Sequence, residues 1–233
     1  MKKVFLVALL AAFTSTAFAQ LITGKSAGYV QEEKWGWNTF SFEYISTNFS
    51  TKIDETISVP GVGSYSVKES SSYSTSGFGF TYMRAISLTR NHKIPLYLEP
   101  GIGMEFYVGG DKSSNLKMLT AKIPLNFIYD IAIPNTTIHI DPYFGLRFRG
   151  NIYGTADSYK YRSGNVYKDE VDVFKKDDMG EDGVFTHFQV GWQIGCKFRF
   201  SKFYMQLGWG TDFNKISTYT STSQFQAAIG VAF

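Results

Sequence analysis

Beyond residue 37, apolar and polar residues alternate one for one along nearly the whole chain. From Leu96, an extended backbone puts Leu98, Pro100, Ile102, Met104 and Phe106 on one face and Tyr97, Glu99, Gly101, Gly103, Glu105 and Tyr107 on the other. From Ile138, the apolar set Ile140, Pro142, Phe144, Leu146 and Phe148 opposes His139, Asp141, Tyr143, Gly145, Arg147 and Arg149. From Phe188, Val190, Trp192, Ile194, Cys196, Phe198 and Phe200 oppose Gln189, Gly191, Gln193, Gly195, Lys197 and Arg199. A helix would need a period of about 3.6, so these segments read as strands. Five more, around Phe40, Phe80, Ile123, Leu207 and Ile229, obey the same rule less perfectly. The pattern predicts eight strands, most of them near the roughly 9–11 residues that a tilted strand needs to cross a bilayer.

Alternation alone also fits a soluble barrel around an apolar cup. Volume separates the two. An eight-stranded barrel leaves an interior just wide enough for side chains to fill. The apolar face carries Phe, Trp, Leu and Ile at almost every position, too much bulk for that space, whereas the polar face is rich in Gly, Gln, Ser and Thr. The apolar face therefore points to lipid. The expected fold is an all-β, eight-stranded, antiparallel up-and-down transmembrane barrel.

The connections between these segments alternate in length. Long loops are expected at about Asn48 to Ser74 and Asn151 to Val184, with an intermediate one at Gly109 to Asn115. Short turns are expected at Thr89 to Lys93, Ile133 to Thr136 and Ser201-Lys202. Transmembrane barrels of bacteria put long loops outside and short turns in the periplasm, and an even strand number then leaves both ends of the barrel in the periplasm.

The start of the chain changes the picture of where this barrel resides. Lys2 and Lys3 precede an apolar run from Val4 to Phe13 that is too short to span a bilayer, and Ala17-Phe18-Ala19 supplies small residues at a cleavage site. The expected organisation is a signal peptide over 1–19 cleaved before Gln20, a periplasmic segment over 20–36 and the barrel over 37–233. No later stretch is apolar over helix-spanning length, which excludes a helical membrane protein. The single cysteine, Cys196, cannot form an internal disulfide. A net charge of +3 is too small to argue for nucleic acid.

The signal, the eight alternating strands, the loop asymmetry and a last strand ending in Val231-Ala232-Phe233 resemble the OmpA/OmpX-type, porin-like outer-membrane β-barrel domains of Gram-negative bacteria. The resemblance implies an outer-membrane location and a monomer in contact with outer-membrane lipid and lipopolysaccharide. It also implies that Phe233 is part of a signal to the barrel-assembly machinery. It names no ligand and no activity.

Candidate chemistry lies on the inward face and in the loops. Glu43, Glu105, Lys122, Arg147, Arg149 and Asp212 should sit toward the extracellular half of the lumen. Glu99, Asp130, His139, Asp141, Lys197 and Arg199 should sit toward the periplasmic half. Each group mixes both signs, and an unpaired charge in a narrow lumen costs several kcal/mol or needs water, so paired networks that close the lumen are expected. The alternative is a narrow porin-like channel for small solutes, lined by the same residues.

A hydrolase would need a nucleophile within reach of a histidine. Lipid-A deacylases of this architecture use a lipid-facing His and Ser two apart, whereas His139 is followed by Asp141 and faces inward. No enzyme and no cofactor is expected. The acidic stretch from Asp177 to Gly183 offers oxygens for calcium without the spacing of an EF-hand loop. Tyr65, Tyr73, Tyr153, Tyr159, Tyr161 and Tyr167 give the loops a composition suited to recognition of an extracellular ligand.

Overall fold

The computed structural model describes residues 36–59, 63–89, 94–111, 114–162, 165–179 and 183–233. The signal-peptide reading of 1–19 and the segment up to residue 35 lie outside these residues. So does the heart of the calcium reading, because Gly180 to Asp182 and the side chains of Asp177 and Asp178 are not described. The side chains of Tyr65, Tyr159, Tyr161 and Tyr167 are likewise outside.

Eight long strands carry the fold: β1 (Gly36–Val59), β2 (Gly63–Ser87), β3 (Leu96–Asp111), β4 (Ser114–Tyr129), β6 (Ile138–Arg162), β8 (Phe188–Phe200), β9 (Phe203–Asp212) and β10 (Thr220–Ala232). The hydrogen-bonded order is β4-β3-β2-β1-β10-β9-β8-β6, and β6 pairs back onto β4. Every pairing is antiparallel, so the sheet closes on itself and has no free edge around the ring. Two short additions complete the set: β5 (Ile131–Ala132), which prolongs β4 against β6, and β7 (Asn165–Asp172), which folds back on the upper part of β6. A four-residue helix, α1 (Lys176–Met179), follows β7. The ring has the eight strands that the alternation predicts.

Side-chain direction follows the pleat. Phe42, Phe80, Ile102, Ile123, Phe144, Ile194, Leu207 and Phe225 point outward and are exposed, while their sequence neighbours point inward and are buried or half-buried. Small polar residues shape two of the short turns. Asn135 and Ser201 hold positive φ angles of 60° and 56° in the turns before β6 and before β9. Asn and other short polar residues tolerate this left-handed conformation, which lets each chain reverse in a few residues.

The connections differ from expectation in one respect. The two segments read as long loops are largely strand. β1 runs on to Val59 and β2 resumes at Gly63, so the segment is paired strand; β1 keeps its pairing with β10 as far as Thr51, and only the part above that stands clear of the ring. The segment 151–184 begins as a second hairpin of β6 against β7, and where the intermediate connection was expected β3 and β4 stay paired as far as Asp111 with Ser114. The reason is that apolar alternation reports burial. A hairpin with water on both faces loses that signal while its Thr, Val, Ile and Tyr residues still favour extended backbone.

Candidate functional site

Eleven of the twelve sequence-predicted lumen residues are buried and the twelfth, His139, is half-buried. Their ion pairs fall into three groups: an upper cluster of six, the pair Lys197–Glu99, and a group of four at the lower end. In the upper cluster Lys122, from β4, bonds Glu43 of β1 and lies 3.1 Å from Glu105 of β3. Opposite, Asp212 of β9 accepts from Arg147 at 3.2 Å and from Arg149 in a shorter contact, both arginines coming from β6. Gln189 at 3.1 Å and Thr222 also donate to this carboxylate. Tyr107 donates to Glu105 and receives a bond from Gln224 at 2.8 Å, and Gln224 in turn accepts from Arg147 at 2.5 Å. Three carboxylates thus face three fixed cations, tied together by neutral donors from the same wall.

The midsection is neutral. Tyr143 reaches across from β6 and its hydroxyl accepts from Gln206 at 2.9 Å and Gln226 at 3.2 Å. Gly195 and Gly208 make room for it, since a Cβ at either would sit 2.4 Å and 2.2 Å from the Tyr143 oxygen. Below, Lys197 of β8 holds Glu99 of β3 at 2.5 Å, and Gln193 and Asn126 extend the chain of bonds.

The floor at the lower end centres on Arg199, whose guanidinium bonds Asp141 and lies 3.0 Å from Asp130. Asp130 also meets His139 Nδ1 at 2.7 Å. The Trp37 ring, on β1, lies over the Arg199 guanidinium at 3.9 Å, with Tyr97 edge-on to it at 4.6 Å. Asp130, His139 and Asp141 come close enough to one another to hold a cation. Arg199 already bridges both carboxylates there, and its fixed charge opposes a second cation. Neither of the two described histidines bonds a hydroxyl or thiol among the described residues: His139 Nδ1 meets Asp130, and His187 Nδ1 meets the Asn151 carbonyl at 3.0 Å.

Above the upper cluster an apolar group gathers on the inward side, among buried Thr47, Thr75 and Thr120. Ile45 and Phe49 from β1, Leu116 and Met118 from β4, and Tyr107 pack with Val173, Phe185 and Ile216 from the connections at the upper end. Tyr73 stacks on Phe49 with centroids 4.8 Å apart, and burial pushes its hydroxyl pKa up to about 12. Higher still, the Thr155 hydroxyl and then Lys117, at 3.0 Å, hold the Glu170 carboxyl below its ordinary range.

The charged residues of this site are legible in the sequence, and their neutral partners are legible only as inward-facing. Trp37 and the apolar lid were missed. The signal for the lid was present: the parity that sends Glu43 and Lys122 inward also sends Ile45, Phe49, Met118 and Leu116 inward.

A closed antiparallel ring with aromatic and aliphatic side chains outside and ion pairs inside is the inverse of a soluble barrel, and it defines a transmembrane β-barrel. No protein-family model matches the chain, and no curated protein matches it. Solved structures to which it is similar include the attachment invasion locus protein Ail of Yersinia pestis, at 8% identity with a TM-score of 0.44, covering 86% of this chain and 100% of that one. Neisserial surface protein A is similar at 13% identity and a TM-score of 0.38, covering 83% and 97%. The outer membrane protein OprG from Pseudomonas aeruginosa is similar at 10% identity and a TM-score of 0.37, covering 88% and 99%.

Proposed function

We propose that this chain is an outer-membrane barrel with a structural and surface-interaction role, whose lumen is closed and whose extracellular hairpins do the recognising. The observation that carries the reading is the full pairing of the upper cluster, in which Lys122, Arg147 and Arg149 each meet a buried carboxylate beneath an apolar lid. Ions crossing this section would have to break those pairs and wet the lid. In planar bilayers the purified protein is expected to give little or no steady current. A stable ohmic conductance would instead favour the second reading, a narrow porin-like channel for small solutes lined by the same residues.

The barrel-assembly machinery is the partner expected to handle Phe233, and outer-leaflet lipid and lipopolysaccharide the surroundings of the aromatic band. Backbone bonds of 2.8 and 2.9 Å between Asn38 and Phe233 support the first of these, because the residue that would be read as a signal also fastens the last strand to the first.

In this reading the hairpins and α1 face the outside of the cell. Lys175, whose side chain is 68% exposed, lies in the turn after β7, and Lys176 begins α1. Trypsin added to intact cells should cut there, in preference to the paired residues of β6 and β7, and the fragments should stay in the membrane. Cleavage only after the outer membrane is breached would reverse the orientation.

A further inference from the structure

The outer surface of the barrel is zoned along β2, β1 and β10. On β1, Phe40, Phe42 and Tyr44 point outward and are exposed. The next three outward positions are Ser46, Asn48 and Ser50. The register repeats this change of chemistry on both neighbours. Phe78 lies beside Tyr44, and above it Ser76, Ser74 and Ser72 pair with the three β1 positions in turn. On the other side Ser223 and Ser221, above Phe225, pair with Asn48 and Ser50. Higher on the same face come Lys52, Asp54 and Lys68, and Lys68 pairs with Asp54 at 3.3 Å.

One continuous sheet face therefore passes from aromatic to hydroxyl to charged. The hydroxyl belt carries no charge and no side chain larger than asparagine, so it is flat. Sheet geometry spaces its groups about 4.8 Å apart across strands and about 6.6 Å along them. Its internal bonds are few. Ser74 donates to Asn48 Oδ1 at 3.3 Å, Ser221 donates to the Ser50 carbonyl at 3.3 Å, and the hydroxyls of Tyr44 and Ser76 lie 3.1 Å apart. The hydroxyls of Ser46, Ser50, Ser72 and Ser223 and the Asn48 amide nitrogen have no partner among the described residues.

Depth places the belt at a boundary. On β1 the aromatic positions are bracketed by outward Asn38 and Ser46, eight residues apart, which with a strand tilt of about 40° is about 20 Å along the barrel axis. That is close to the roughly 25 Å apolar band of such barrels. On β1 the belt begins where the aromatic positions end.

A phosphate headgroup is gripped by arginine or lysine; the belt has neither, and the lysines at its upper border, Lys52 and Lys68, flank Asp54, with which Lys68 pairs. A neutral sugar offers hydroxyls that both donate and accept, with an apolar ring face that Tyr44, Phe78 and Phe225 can support from below. We infer that this belt docks the neutral sugar headgroup of a glycolipid, whose acyl chains run down the aromatic band of the same strands. The inference rests on the reading of the chain as a bilayer-spanning barrel.

The test is reconstitution of the full chain into phosphatidylcholine vesicles containing equal minor fractions of monogalactosyl diacylglycerol and phosphatidylglycerol. Mild detergent extraction and native mass spectrometry then read the lipid retained. Several-fold enrichment of the galactolipid is expected, unaffected by free methyl galactoside. The quadruple variant S46A/S50A/S72A/S223A should erase it while keeping the strand content of the parent. Should that variant fail to insert, Ser50→Lys alone should shift retention toward phosphatidylglycerol. Equal retention of both lipids by the parent protein, enrichment that survives loss of the four hydroxyls or the added lysine, or removal of the lipid by free methyl galactoside would overturn the inference. Failure of the parent protein to insert at all would instead sink the barrel reading beneath it.

Discussion

Asp212→Ala will destabilise the barrel by about 3–5 kcal/mol, because it removes one partner of a buried ion network and leaves the others in place. Arg147 and Arg149 both spend their charge on this one carboxylate, and both are buried. Gln189 and Thr222 donate to it as well, so the loss strands neutral donors along with the two cations. Unfolding in urea from lipid vesicles would measure the loss. A cost below about 1 kcal/mol would mean that water already solvates the two arginines and that the upper cluster is wet. The triple replacement of Asp212, Arg147 and Arg149 by apolar residues of similar volume should cost less than the single change, since no charge is then left without its partner.

The second large effect is expected on the opposite face. Leu146 points outward on β6, between Leu125 of β4 and Trp192 of β8. Leu146→Arg should cost roughly 2–4 kcal/mol, the penalty for a cation facing lipid near the midplane. Its neighbour Gly145 points inward, where a Cβ would lie 2.4 Å from the Leu125 carbonyl oxygen and from Asn126 Oδ1. A side chain there should destabilise by crowding, whatever its charge. The same vesicle unfolding assay separates the two. A negligible loss for Leu146→Arg would mean that the barrel is inside out.

The strands that cross the bilayer were readable residue by residue because each has one face in lipid and one in a packed lumen, so burial alternates with the pleat. Phe144, Leu146 and Phe148 against Tyr143, Gly145 and Arg147 is the clearest case, and the structure keeps each where the pattern puts it. The upper part of the hairpin within 48–74 was not readable, because there, as at Ser70 and Ser71, both faces of the strand are exposed. The charges of the lumen were readable by sign and parity. Which acid meets which base was not, since Lys122–Glu43 and Arg149–Asp212 join residues far apart in the chain, whose heights are set by the stagger between strands. The contact of Trp37 with Arg199 depends on the same stagger.

The seam between β1 and β10 has a consequence for how the molecule comes into being. Thr39 pairs with Ala232 and Thr51 with Thr220, so strands from opposite ends of the described chain must find each other before either is satisfied. The other seven joins of the ring form between strands nearer in sequence, and each can be made as a hairpin or meander grows. Until the last join is made, the growing sheet has two bare edges, and bare edges in lipid leave backbone groups without partners. Loop-closure entropy makes this the slowest contact to form unaided. The ring is therefore expected to mature in one late, all-or-none event, and a mutation that weakens this seam should lower the yield of folded protein more than it lowers the stability of the molecules that do close.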